Sequence, residues 1–352
     1  MSKISRDNGV SHRHAVPLAE RRLDIKGLQR FRQLLPALQK YQGLVGLILL
    51  MAVAFFKAPH TDAAGALFHS TFYSTGNLRN VLSQLAVPGC LAIGATFVIL
   101  VGGIDLSAGS SLGLLNCVCA TWLVHGTSTP ITIAYVLFIG TVIGGILGAL
   151  IGFTRLQPFV VTLAGMVSLR GIAFVYTNNA NISGMKDQIA FFESPWLGIP
   201  IDGWVLLAAT IAGTIILSKT VFGRRVYAVG GNIEAARYAG VPVNKVRIGA
   251  FAINGFCIAL AAILFTARNS NGQPSAGMGY ELDAITAAVV GGTALVGGYG
   301  NVIGTFVGAL FIVCLNVLLI LDGVSYYVGQ GWKGVIILLA VYLQNFGRRL
   351  ER

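Results

Sequence analysis

Apolar residues in this chain arrive in blocks of roughly 15 to 24, separated by short polar stretches, close to the ~20 residues a helix needs to cross ~30 Å of hydrocarbon. Short alternating strands are not the pattern. Lipid cannot satisfy open backbone groups, so the expectation is an all-α polytopic membrane protein. Ten spans are drawn, at residues 43–57, 81–101, 108–125, 131–153, 159–177, 203–218, 248–267, 282–298, 301–321 and 331–346. The first, "LVGLILLMAVAFF", is short for a full crossing without tilt. The eighth, "LDAITAAVVGGTALVGG", is thin in bulk, and its glycines point to a broken or closely packed helix.

Composition agrees with that reading, since 55% of the 352 residues are hydrophobic and only 11% are charged, where soluble domains carry about 25%. The net charge of +12 is gathered in the first forty residues, in the stretch from Lys219 to Arg247 and at the end of the chain. Lys and Arg in short loops mark the cytosolic side, so both termini and the 219–247 loop are expected inside. The loop before Trp204 carries Asp187, Glu193 and Asp202 against Lys186 and is expected outside. This gives a cytosolic tail over 1–42 with an amphipathic helix near Leu28 to Leu38, a membrane domain over 43–347 and a cytosolic end over 348–352. The tail is too polar before its first apolar run to read as a cleaved signal peptide. Clustered basic residues are not interleaved with exposed aromatics, so no nucleic-acid partner is expected.

Motifs for chemistry on this chain are missing. "GTIILSKT" has Ser218 where a phosphate loop needs its second glycine, and "GYGNVIG" lacks dinucleotide-binding spacing. No HExxH occurs, and the five histidines show no ligand spacing. Cys90, Cys117, Cys119, Cys257 and Cys314 all lie in apolar segments and read as small core residues. No enzyme activity, metal or cofactor is therefore expected on this chain, and a conduit is. Asp105, Arg170, Glu281 and Asp283 are the ionisable candidates within or beside spans, and all but Arg170 sit near span ends, which weighs against ion coupling. Asp105 is expected to cap the helix that follows it. A faint internal echo relates Gly102, Gly103, Leu106 and Gly109 to Gly291, Gly292, Leu295 and Gly298 as GGxxLxxG, a pattern that 45 glycines also produce by chance.

A conduit with no ion site and no nucleotide site needs a powered partner and a surface for it. "VGGNIEAARYAGVPV", Val229 to Val243, suits that task. Asn232 is placed as an N-cap, "IEAARYAG" forms about two turns, Gly240 stops the helix and Pro242 prevents its resumption. Glu234 and Arg237 suit the helix dipole, while Ala235, Ala236 and Ala239 leave a low face for a partner's cleft. An amphipathic helix resting on lipid headgroups is the alternative.

The same stretch, extended to "VGGNIEAARYAGVPVNKVR", is similar to the cytosolic loop of the permease subunits of bacterial ABC importers for monosaccharides, the family of the ribose, arabinose, galactose and xylose permeases within the branched-chain amino acid/ribose permease superfamily. "FVILVGGIDLSAGSSLG", "QPFVVTLAGMVSLRGIAFVYTN", "FGRRVYAVGGN" and "QPSAGMGYELDAITAAVVGGTALVGGYGNVIGTFVGAL" also resemble its blocks, in order, over residues 43 to 347. The resemblance implies the ten-helix type II importer fold of vitamin B12 permeases and a place in a bacterial inner membrane. It implies a second permease copy, the same chain or a relative, together with an ATPase pair that holds ATP and Mg²⁺ and a periplasmic sugar-binding protein. It makes Gly231, Asn232, Ile233, Glu234, Ala235, Ala236, Arg237, Ala239 and Gly240 the ATPase-coupling segment. Phe97, Asn116, Phe159, Thr162, Asn254 and Asn316 are the candidates for a sugar path, each also suited to binding helices together. An ion-coupled secondary transporter of a small polar solute remains the alternative.

Overall fold

The computed structural model describes residues 42–57, 71–154 and 156–325, with scattered positions between 328 and 342. The expected tail helix and the C-terminal end lie outside the described residues, and the tenth expected span is described only in part. The helices are α1 (Gln42–Lys57), α2 (Thr75–Leu100), α3 (Ala108–Val124), α4 (Thr129–Thr154), α5 (Pro158–Tyr176), α6 (Ile201–Lys219), α7 (Val221–Gly231), α8 (Ile233–Tyr238), α9 (Val243–Asn269), α10 (Tyr280–Val290) and α11 (Val302–Leu321). Among the described residues, α2, α4, α5, α6, α9 and α11 are long and apolar enough to cross a membrane, and α1 and α3 are shorter apolar helices. The protein is a mostly helical, polytopic membrane protein. Large apolar side chains such as Phe138, Phe153, Val167 and Val175 stand exposed on its flanks, where only lipid or another protein suits them.

Eight of the expected spans meet helices with edges shifted by a few residues, while the eighth in order is broken, as its glycines pointed to, and is too short for a span. Its helix α10 stops at Val290 after 11 residues, about 16 Å at 1.5 Å per residue, and cannot span alone. Residues 291–301 then run as glycine-rich turns, with Gly292, Gly297, Gly298 and Gly300 at positive φ. The expected 219–247 loop is itself largely helical, formed by α7, α8 and the start of α9.

The core is built around α9, which packs along α4, α2 and α3. Helices in lipid gain little from apolar contact alone, so close backbone approach matters more. Gly140, Gly144 and Gly148, one turn apart on α4, face Phe251 and Gly255 of α9. A Cβ at Gly144 would overlap the Phe251 carbonyl, and one at Gly255 would overlap that of Gly140. Polar side chains join neighbours inside this bundle. Thr96 of α2 bonds Thr305 of α11 at 2.7 Å, and Thr266 of α9 donates to Asn116 of α3 at 2.8 Å.

Contacts sort the loops to two ends. At one end, Arg79 donates to Gly198 O and Ser83 to Asp202, and the two-residue strands β1 (Ile182–Ser183) and β4 (Asn271–Gly272) pair antiparallel. A second small ribbon, β2 (Pro195–Trp196) with β3 (Ile199–Pro200), lies in the same long loop before α6. At the opposite end lie α7, α8 and the turns 101–107 and 291–301. The long helix α2 joins the two ends and carries Pro88 inside it. Proline has no N–H, so the helix offers the Gln84 carbonyl no i+4 donor.

Two adjacent glycines of α4 separate packing from propensity. Gly144→Val should destabilise the detergent-solubilised protein by about 2 kcal/mol or more through overpacking against α9. Gly145, with open space where its Cβ would stand, should tolerate Ala without loss. Thermal unfolding followed by size-exclusion chromatography reads both.

Candidate functional site

After α6 the chain turns at Thr220, whose hydroxyl accepts from Gly223 N at 3.1 Å and starts α7. Val226 and Val229 bury one face of α7, and Arg224 and Arg225 stand out from the other. Gly231 leads to Asn232, whose extended backbone ends α7 and whose side-chain oxygen accepts from Ala235 N at 2.9 Å. Ile233 to Tyr238 then form α8. Gly240, at φ +76°, reverses the chain, and Val241 N closes back on Ala236 O. Pro242 does not merely block resumption: it is the N-cap position of α9, which starts at Val243.

α8 is a protruding knob. Glu234 and Arg237 pair at 3.1 Å and are both largely exposed, and Tyr238 is 89% exposed. Ala235 and Ala239 share the open surface, but Ala236 is buried and Ile233 half-buried against the body of the protein. The smooth outer face is therefore made without Ala236. Tyr238 was not singled out from sequence, although a large aromatic beside a helix-stopping Ala-Gly pair was a readable signal.

Beneath α8, three backbone segments converge. Gly298 N donates to Leu100 O at 3.0 Å, joining the turn after α10 to the end of α2. Gly230 of α7 sits where a Cβ would overlap Leu100 O, and a Cβ at Gly298 would lie 2.7 Å from Gly231 N. Tyr227 of α7 donates its hydroxyl to Gly300 O at 2.8 Å, and burial raises its pKa above the usual tyrosine value, keeping the donor protonated. The two copies of GGxxLxxG thus supply the turns that meet here.

Asp105 departs from the expected capping role. The N-cap of α3 is Ser107, with no side-chain cap bond. Asp105 Oδ1 accepts from Ser107 N and Oγ at 2.8 and 2.6 Å, and Oδ2 accepts from Asn254 Nδ2 of α9 at 2.6 Å. Buried in the turn, it fixes that turn to α9. Glu281 and Asp283 lie in the first turn of α10, where acids suit the helix dipole.

The six path candidates are not brought to one place. Phe97 is core, Asn254 holds Asp105, and Thr162 donates to Ile104 O at 3.0 Å. Asn116 accepts from Thr266 and donates to Gln273 O at 3.2 Å. Phe159 stands on the exposed face of α5, and Asn316 lines a cavity at the end of the bundle remote from α8. Arg170 donates to Pro274 O and Ala276 O at 2.6 and 2.7 Å, tying α5 to the loop before α10.

Residues 77–343 match the family described as branched-chain amino acid transport system / permease component. The chain belongs to that family. It is 40% identical over 310 residues to the ribose import permease protein RbsC of Haemophilus influenzae, covering 87% of this chain and 93% of that one. RbsC of Escherichia coli K12 is 38% identical over 315 residues, covering 88% and 94%, and the xylose transport system permease protein XylH of the same strain is 32% identical over 373 residues, covering 88% and 93%.

Cap and ion pair of α8 should behave differently in this permease. Asn232→Ala removes an N-cap bond worth about 1 kcal/mol, so amide exchange at Ala235 should rise roughly fivefold. Breaking the exposed Glu234–Arg237 pair should change unfolding stability by less than about 1 kcal/mol. Hydrogen exchange and thermal unfolding check the two.

Proposed function

We propose that this chain is the permease subunit of a binding-protein-dependent ABC importer that carries a monosaccharide of the ribose type across a bacterial inner membrane. The observation that carries this reading is the exposed knob α8 seated on a glycine junction, in a chain that aligns along 87–88% of its length with ribose and xylose permeases. On this reading residues 43–347 are one permease domain of ten spans with the type II importer fold and both termini in the cytosol. The ends at which α7 and α8 lie face the cytosol, and the ribbons face the outside. An ATPase pair holds ATP and Mg²⁺, a periplasmic protein delivers the sugar, and this chain itself holds no cofactor. A second permease copy is supported by α5, whose long exposed apolar face includes Leu163, Val167 and Val175.

Coupling follows from the junction. ATP-driven closure of the ATPases displaces α8, and α7 moves with it because they share Asn232 as cap on both sides. α7 bears on Leu100 and Gly298 by backbone contact and on Gly300 through Tyr227. Those turns end α2 and α10 and begin α3 and α11, so one displacement reaches four helix ends. The pathway between two permeases then opens alternately outward and inward.

Charge reversal tests the docking surface. Glu234→Arg or Arg237→Glu should leave the protein in the membrane while weakening association with the ATPase by about tenfold or more, since like charges across an interface cost several kcal/mol. Normal co-purification of both variants would refute the assignment. Gly298→Ala, strained at φ +74°, should keep ATPase association and lose most ATP-driven uptake in proteoliposomes. Uptake by the wild type from an ion gradient alone, with no ATPase present, would replace the importer reading with a secondary transporter.

A further inference from the structure

At the end of the bundle remote from α8, a cavity of about 360 Å³ opens between α2, α9, α10 and α11. Its size is at the low end of small-molecule sites. Gln84 of α2, Arg268 of α9, Asp283 of α10 and Asn316 of α11 contribute polar groups, and Phe265 and Tyr280 set their rings edge to face at 6.3 Å. Pro88 lines the same cavity, at the point where α2 offers the Gln84 carbonyl no helical donor. Polar side chains from four separate helices therefore border one concave space.

The chemistry of the lining restricts the ligand. Each sugar hydroxyl both donates and accepts, and the wall offers donors from the guanidinium, acceptors from the carboxylate and both from the two amides. The aromatic pair and the flanking Val87 and Val313 suit the C–H face of a ring. An anion would meet Asp283 and a cation Arg268, whereas a neutral polar ring avoids both penalties. An acyl chain would offer no hydrogen bond to the guanidinium of Arg268 or to the amides of Gln84 and Asn316.

We propose that this cavity binds one neutral monosaccharide ring within a single protomer, away from α5 and from any path between two permease copies. The proposal rests on the sugar-permease reading. If α8 faces the cytosol, the cavity faces the side from which the binding protein delivers sugar. A conduit must pass its cargo on, so the expected affinity is weak, with Kd on the order of 1 mM or above.

The test is saturation-transfer NMR on the full-length permease in phosphatidylethanolamine/phosphatidylglycerol nanodiscs, titrated with ribose, xylose, arabinose and galactose, and with ribose 5-phosphate as the charged comparator. At least one free sugar should give a saturable signal and the phosphate none. Asn316→Leu and Arg268→Met should each weaken binding by about fivefold or more, the loss of one hydrogen bond. Co-purification of each variant with the ATPase shows that it is folded. No saturable signal from any of these sugars up to about 50 mM overturns the proposal. So does a signal unchanged in whichever of the two variants remains folded. Uptake by the complete ATP-driven complex separates the two readings. Transport of a sugar that gives no signal on the permease overturns the cavity alone, whereas absence of ATP-driven uptake of all four sugars overturns the importer reading beneath it.

Discussion

In hydrocarbon, apolar side chains lose little by leaving one another, so a helical bundle depends on how closely its backbones approach and on how its polar groups are paired. α9 shows both. Gly255 lets α4 come close enough for carbonyls to face glycine Cα atoms, and Phe251 lies against Gly144 and Gly148. Asn254, one position before Gly255, reaches Asp105 on the turn after α2. A single helix thus fixes the position of α4 by shape and of the 101–107 turn by hydrogen bonds. α10, α11 and α7 are then placed against α2 and its turn.

The same close approach determines what the region below α8 is able to do. A flexible loop would absorb a push from outside, but here the backbone of α7 touches the end of α2 and the turn after α10 with no side chain between them. Gly230, Gly297 and Gly298 exclude the compressible material that larger residues would add. Tyr227 adds one directed bond at the edge. The knob itself is a light structure, six residues capped by Asn232 and Gly240, and its stiffness comes from the buried Ala236 and from α7 beneath it.

Much of this was legible in the chain. Apolar block length located the helices, because length and composition are what lipid selects. Asn232 and Gly240 bounded α8 because N-caps and positive-φ stops are local chemistry that survives any tertiary context. The eighth block was drawn too long because its apolar count continues past Val290, although its glycines pointed to the break that Gly291 and Gly292 make there. The GGxxLxxG echo was visible but carried no meaning until the two copies proved to form turns that approach each other at Gly102 and Gly297. Asp105 was misassigned for a related reason. A carboxylate beside a helix start satisfies local capping rules, and only the fold shows Asn254, far along the chain, beside it.

Buried polar residues in this bundle are largely occupied by one another, and this bears on the kind of transport the fold supports. Asn116 is held by Thr266 and Gln273 O, Thr96 by Thr305, Asp105 by Ser107 and Asn254, and Arg170 by two carbonyls. Groups committed in this way cannot exchange partners with a passing ion without loosening the packing they maintain. A neutral solute makes a smaller demand, since it needs only weak and replaceable hydrogen bonds along surfaces that separate and rejoin. The energy for that separation must enter from outside the bundle. α8 is suited to receive it, being an exposed knob with charged and aromatic side chains on a chain otherwise adapted to lipid.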